Sequence, residues 1–386
     1  MDFLDEELKN LEEKGLYRRF KTLLSAQDVK VKMGNKIFIN FCSNDYLGLA
    51  NHPYVKRAAI KAIERYGVGA GASRLICGNM KLHEELEEKL AKFKKAEASI
   101  VFSTGYMANL GVISALLNVE DVVIVDRLNH ASIIDGCKLS KAKIMVYSHV
   151  DLNDLEKVLK KVGKFRRRLI ITDSIFSMDG DLAPLPDIMK LARKYHSMVM
   201  VDDAHATGVL GKNGRGIVEY YNLIDKPDII MGTLSKALGS LGGFICGKKS
   251  LIEYLKNKCR SFIYTTGIPS SLCAASMASL EIIEKDPKII KKLWDNTNYF
   301  KKQLNSLNLN TLNSTTPIIP IVLGDEKKTM EVANKIQEKG MLVLGIRPPT
   351  VPKGTSRLRI TITSKHSKTN IDSLVLNLKS IGSRRL

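Results

Sequence analysis

A chain of 386 residues, 44% hydrophobic and with a formal net charge of +20, can bury a large core and has room for two domains. No uninterrupted apolar stretch approaches the length of a membrane span, so a soluble globular protein with no membrane partner is expected. The basic charge invites a nucleic-acid partner, but apart from Lys164 to Arg168 and Arg384-Arg385 the lysines are dispersed. Aromatics are only 6% of residues, and no nucleic-acid partner is expected.

The N-terminus, Met1-Asp2-Phe3-Leu4-Asp5-Glu6-Glu7, is acidic and lacks the basic and apolar regions of a signal peptide, which makes the cytoplasm the expected location. Residues 1–45 read as an amphipathic helix followed by an extended arm. Gly67-Val68-Gly69-Ala70-Gly71 superficially resembles a dinucleotide loop, but no strand precedes it, and it reads instead as a turn bordering a substrate channel. Leu82, Leu86, Leu90 and Phe93 mark one apolar helical face, with Glu84, Glu85, Glu87, Glu88 and Lys89 expected mostly in water.

Short apolar runs then alternate with helical patterns: Ile100 to Phe102, Val122 to Val125, Leu169 to Ile171, Met198 to Val201, Ile229 to Met231 and Gly243 to Cys246. Such alternation predicts a mainly parallel sheet covered by helices on both faces. From residue 282 the pattern changes to a long charged helix near Pro287 to Leu307 and a strand over Thr316 to Leu323. A helix over Lys327 to Lys339, strands around Met341 to Ile346 and Leu358 to Ile362, and a last helix from Ser367 complete a smaller α+β domain. The expected organisation is therefore 1–45, 46–281 and 282–386. Six scattered cysteines with no C-x-x-C pair read as small buried hydrophobes, and no metal site is expected.

In open α/β sheets ligands bind beyond the carboxyl ends of the strands, and Asp126, Asp202 and Thr233 each follow a strand-like run. Lys236 lies just after Ile229 to Met231 among small residues, Thr233 to Gly243, a placement suited to a Schiff-base lysine. Hydroxyls at Thr233 and Ser235 can donate to a phosphate, and glycines admit a flat cofactor. Upstream, Met198 to Val201 runs into Asp202-Asp203-Ala204-His205. A carboxylate at a buried strand end needs a cationic or strongly hydrogen-bonding partner, and the protonated ring nitrogen of pyridoxal phosphate is one. His205 is placed to reach the ring's phenolic oxygen. The plainer alternative is a helix-capping aspartate followed by an ordinary histidine.

Six segments taken together resemble the α-oxoamine synthases, pyridoxal-phosphate enzymes of fold type I: Ser43 to Gly48, Asn129 to Ser132, Phe176 to Gly180, Asp202 to His205, Thr233 to Lys236, and Arg347 to Thr350 leading to Arg357-Leu358-Arg359. The resemblance spans essentially the whole chain. It implies a large mainly parallel-sheet domain sandwiched by helices, a smaller C-terminal α+β domain, and a homodimer with shared active sites. The implied reaction is decarboxylative condensation of an amino acid with an acyl thioester of coenzyme A or acyl carrier protein.

The resemblance also implies roles for individual residues. Lys236 carries the cofactor and acts as base, Asp202 faces its ring nitrogen, and His130 stacks on its face. Ser177 and His205 lie at the phenolic oxygen, Gly105-Tyr106 and Thr233 hold the phosphate, and Thr265 or Thr266 reaches the neighbouring subunit's phosphate. Arg359 pairs with the amino-acid carboxylate, Asn44, Arg347 and Thr350 contact substrate, and Arg18 meets a carboxylate at the far end of the acyl chain. Ala72 to Asn79, Ile263 to Thr266 and Arg347 to Pro352 favour the member of the family that joins L-alanine to a pimeloyl thioester in biotin biosynthesis. Asn129 to Gly136 favours instead the member that acetylates glycine, and an aminotransferase or a non-catalytic binding protein on the same fold stands as a different class.

Overall fold

The computed structural model describes residues 3–382, so Met1, Asp2 and the Arg384-Arg385 pair lie outside it. Among the described residues thirteen strands follow in chain order: β1 (Lys30–Met33), β2 (Lys36–Asn40), β3 (Ala98–Phe102), β4 (Val122–Asp126), β5 (Lys143–Tyr147), β6 (Arg168–Asp173), β7 (Met198–Asp202), β8 (Ile229–Thr233), β9 (Gly243–Gly247), β10 (Ile318–Gly324), β11 (Met341–Leu342), β12 (Leu344–Ile346) and β13 (Ser356–Thr361). No helix among the described residues is long and apolar enough to cross a membrane.

Two compact units emerge. The larger comprises Leu49–Ser177 and Leu182–Ile290, and the smaller Met1–Gly48, Met178–Asp181 and Lys291–Leu386. The N-terminal arm thus groups with the C-terminal residues rather than standing apart, because β2 pairs in parallel with β11, Met341 opposite Ile39. The division near residue 282 falls instead at 290/291, within the helix Lys288–Asn305.

The larger unit is built on a seven-stranded sheet in the order β3-β9-β8-β7-β6-β4-β5. All neighbours are parallel except β9, which runs antiparallel to both β3 and β8. Strands β4 and β8 are buried at every residue, as a sheet covered on both faces requires. Val123, Val125, Leu169, Ile171 and Met200 pack with Val112, Ile113, Ile133 and Cys137 on one face. Each such side chain contributes about 1.5–3 kcal/mol through burial. The strand β5 has no counterpart in the expected set, because this edge strand is only half-buried and its apolar run is short.

In the smaller unit β13 lies between β10 and β12. Its alternation sends Leu358 and Ile360 into a core with Phe41, Phe300, Ile319 and Ile371. Arg357 and Arg359 alternate with them, and each is only 4% exposed, so these charges need built partners.

Two expectations are corrected. Glu87 is buried rather than in water, because it takes both guanidinium nitrogens of Arg74 at 3.0 and 3.1 Å and the Val101 amide at 2.9 Å. Of the cysteines, Cys42 is half-buried and Cys77 exposed, the latter on the Ala72 to Asn79 turn, while the other four are buried.

Candidate active site

Parallel packing brings the carboxyl ends of β4, β6, β7 and β8 to one edge, and each ends in a polar residue: Asp126, Asp173, Asp202 and Thr233. Asp126 is spent on structure, accepting from Leu128 N, Val150 N and His149 Nδ1. Asp202 differs. Its Oδ1 accepts from Ala204 N at 3.0 Å and its Oδ2 from Asn109 Nδ2 at 2.7 Å. It is 5% exposed, and one hydrogen bond per oxygen leaves acceptor capacity for a further donor.

Asp173 pairs in register with Asp202 on the neighbouring strand. Burial pushes its carboxyl up to about 8 and the charge of Asp202 adds to this, while Asn129 Nδ2 at 2.7 Å and the His130 amide at 3.1 Å oppose it. Two adjacent buried carboxylates do not both ionise readily, so the proton is held on Asp173. Asp173 thereby fixes the turn that carries His130. That residue caps the helix Ala131–Ser140, its Nδ1 2.7 Å from Ser132 Oγ, while the residue itself is exposed. Although the residue is exposed, partial desolvation of its ring lowers its pKa, Asp202 opposing and Lys236 adding to the shift.

Beyond β8 the chain forms a pinned loop. Leu234 N donates to Gly242 O at 2.9 Å, Thr233 Oγ1 to the same carbonyl at 2.8 Å, and Ser235 Oγ receives Gly242 N at 3.1 Å. Half-buried Lys236 sits at its crest, and its carbonyl accepts from Gly239 N at 2.8 Å. Gly239 has φ +62°, and a Cβ there would lie 2.3 Å from Ala50 N, so no other residue fits. The hydroxyls expected to face a phosphate, Thr233 and Ser235, are here engaged within this loop.

The helix Gly105–Leu116 starts against the same strand end. Its N-cap Thr104 accepts from Met107 N at 3.1 Å, which leaves the first-turn amides of Gly105 and Tyr106 outside the helical bonding. A Cβ on Gly243 would lie 2.5 Å from Gly105 Cα, so glycine at 243 is needed to bring the helix start onto the sheet. The Tyr106 hydroxyl meets Asp135. His205 is buried on the turn after β7, and Ser177 is half-buried.

Thr265 and Thr266 belong to a segment tied to the Ala72 to Asn79 turn: Ser73 bridges Thr266, and Gly267 N donates to Ala72 O at 3.0 Å. Arg74 within that turn is a buried anchor on Glu87, with Nε on Asn79 Oδ1 at 2.5 Å.

In the smaller unit Arg359 donates to Asn44 Oδ1 at 3.1 Å and Thr361 Oγ1 at 3.0 Å. Burial pushes the Tyr46 hydroxyl up to about 12, and Arg359, hydrogen-bonded to it, opposes. Arg347 Nη2 donates to Tyr17 O at 2.6 Å, while its buried Nε has no partner. Burial and the neighbouring charge of Arg18 both lower its pKa. Exposed Thr350 closes the turn through its amide on Arg347 O at 3.2 Å.

Sequence reasoning passed over Asn109, Ser132 and Asp173 as participants. The available signal was a lone amide in the apolar helix Gly105–Leu116 and an aspartate ending the run Leu169 to Ile171.

The strand-end lysine, the carboxylate open to a further donor and the free helix-start amides suit a phosphate-bearing pyridine cofactor. Comparison with known proteins agrees. The aminotransferase class I and II family model matches residues 36–378. The 8-amino-7-oxononanoate synthase of Thermoanaerobacter pseudethanolicus is 49% identical over 383 residues, covering 99% of this chain and 97% of its own. A solved structure of SPT with its PLP internal aldimine superposes with a TM-score of 0.93 at 31% identity, over 99% of this chain and 97% of that one. The 8-amino-7-oxononanoate synthase of Francisella tularensis superposes with a TM-score of 0.79 at 29% identity, over 90% and 99%. The chain belongs to the aminotransferase class I and II family and, within it, to the pyridoxal-phosphate-dependent α-oxoamine synthases.

Proposed function

We propose that the chain condenses L-alanine with a pimeloyl thioester to give 8-amino-7-oxononanoate, carbon dioxide and free thiol, the biotin-pathway reaction. The observation that carries this reading is the 49% identity over nearly its full length to an 8-amino-7-oxononanoate synthase. Pyridoxal phosphate, when bound, supplies an electron sink for a carbanion at the substrate Cα. Asp202 would face the pyridine nitrogen and favour its protonated form, and the Gly105 and Tyr106 amides would hold the phosphate. Thr233 lies beside that cradle, and Ser177 and His205 serve the phenolic oxygen. Lys236 would hold the cofactor's aldehyde and would serve as the base for the substrate Cα proton. His130 covers the ring face.

Arg359, oriented by Asn44, takes the amino-acid carboxylate through its planar fork. Arg347 and Arg18 form a basic pair suited to the far carboxylate of the pimeloyl chain, with Thr350 on the same turn; the buried, partnerless Nε of Arg347 supports this reading. We assign the thioester carrier as coenzyme A or acyl carrier protein. The assembly is a cytoplasmic homodimer in which Thr265 or Thr266 serves the neighbouring subunit's phosphate.

The test is thiol release across alanine, glycine and serine paired with acetyl, succinyl, pimeloyl and palmitoyl thioesters. Alanine with pimeloyl thioester should give the highest kcat/KM, each enclosed methylene adding about 0.8 kcal/mol. Highest kcat/KM for glycine with the acetyl donor would replace this reading with that of a glycine acetyltransferase. Amino transfer without thiol release would replace it with that of an aminotransferase.

A further inference from the structure

Asn109 is a polar residue one turn into an apolar helix and is 1% exposed. Both hydrogens of its amide nitrogen are used: Nδ2 donates to Asp202 Oδ2 at 2.7 Å and to Ser132 Oγ at 2.9 Å. Rotating the amide by half a turn would set Oδ1 against the Asp202 carboxylate, so charge fixes its orientation. Its buried Oδ1 has no hydrogen-bond partner, which means the amide is there for its donors.

The Ser132 amide donates to His130 Nδ1 at 3.3 Å, so Ser132 Oγ, which accepts from Asn109 and lies 2.7 Å from that nitrogen, turns its own proton toward it. With two donors aimed at it, Nδ1 is an acceptor, and the proton of the imidazole sits on Nε2.

We propose that Asn109 and Ser132 are positioning residues, a hydrogen-bonded relay that holds His130 as the neutral Nε2–H tautomer and ties its orientation to Asp202. The inference rests on the roles given above to Asp202 and His130 and extends them. An imidazolium stacked on a protonated pyridine would set two cations face to face and work against the proton that Asp202 retains. The relay works against that second proton, because a protonated Nδ1 would face the Ser132 amide N–H and force the Ser132 hydroxyl to turn from donor to acceptor. Three other titratable groups bear on His130: Asp173 through the His130 amide, Asp202, and Lys236.

The test is histidine side-chain ¹⁵N–¹H NMR on the full chain, with and without pyridoxal phosphate, the His130 signals being assigned by their loss in His130→Asn. The wild type should show an unprotonated Nδ1 and a protonated Nε2. Ser132→Ala should mix the tautomers, move the His130 titration upward by about one pH unit, and shift the pH at which the bound cofactor's absorbance changes. Loss of kcat with little change in KM should accompany it, and Ser132→Thr should restore all three signatures. Asn109→Leu, where it folds, should act in the same direction. A wild-type Nδ1–H tautomer, or an unchanged His130 titration in Ser132→Ala, would overturn the relay. The NMR readout needs no substrate, so failure of the alanine and pimeloyl preference would strike the proposed reaction and leave this result standing.

Discussion

The strand-end cluster of the larger unit and the arginine-bearing strand of the smaller one solve the same problem, burying charge beside a reacting group, in opposite ways. Around Asp202 the partners are short uncharged donors, Asn109 on the helix Gly105–Leu116 and the Ala204 amide in the turn after β7. Around Arg359 and Arg347 partners come in from the far end of the chain, Asn44 315 residues from Arg359 and Tyr17 330 residues from Arg347, alongside the local Thr361 hydroxyl on Arg359. In the first arrangement neutral donors hold the carboxylate without cancelling its charge. In the second, guanidinium groups are held by neutral oxygens brought in from distant parts of the chain. Under the proposed reaction the two regions have different tasks, and variants in them should fail differently.

The largest loss is expected in the first region. Lys236→Ala should lower kcat by about 10⁴-fold or more while far-UV circular dichroism and Tm stay unchanged, because it removes both the cofactor anchor and the Cα base. Asp202→Asn should cost on the order of 10²-fold in kcat with cofactor binding kept in part, since an amide cannot hold the pyridine nitrogen protonated. Near-normal turnover in that variant would make the carboxylate structural.

A smaller effect is expected in the second region, and of another kind. Arg347→Ala should weaken kcat/KM for the pimeloyl donor by about 10-fold and leave a donor of equal length lacking the far carboxylate unaffected. Equal losses for both donors would remove Arg347 from carboxylate recognition.

The smaller unit also carries a pH-sensitive element. His366 stacks on Phe41, its Nδ1 accepts from Thr363 N at 3.0 Å, and its Nε2 is 3.0 Å from Asn40 O. Burial lowers its pKa to about 4, the Asn40 carbonyl opposing. The folded ring resists protonation more than the unfolded one, so its contribution is complete above about pH 6.5 and is lost as pH falls toward 4. The loss approaches about 1.4 kcal/mol per pH unit inside that window. Denaturant midpoints at pH 7 and pH 5 should show this slope in the wild type, and His366→Gln should flatten it.

The difference between the regions also explains what the sequence disclosed. Strand ends were legible because apolar runs stop at a polar residue, and Asp202, Thr233 and the Lys236 loop follow such stops directly. Asn109 and Ser132 were less so: a lone amide in an apolar helix marks Asn109 as unusual, but the partners of both lie on other elements, which no local pattern names. Glu87 was misread because period alone put it at the edge of an apolar face, and its partner Arg74 sits on a separate turn. The grouping of the N-terminal arm with the C-terminal residues rests on strand pairing between distant segments, which no local pattern encodes.

The account stands or falls on Lys236. Borohydride reduction of the cofactor-loaded protein followed by peptide mapping should place the pyridoxyl label on Lys236 alone, in the peptide containing Thr233-Leu234-Ser235-Lys236. Label on any other lysine would contradict it.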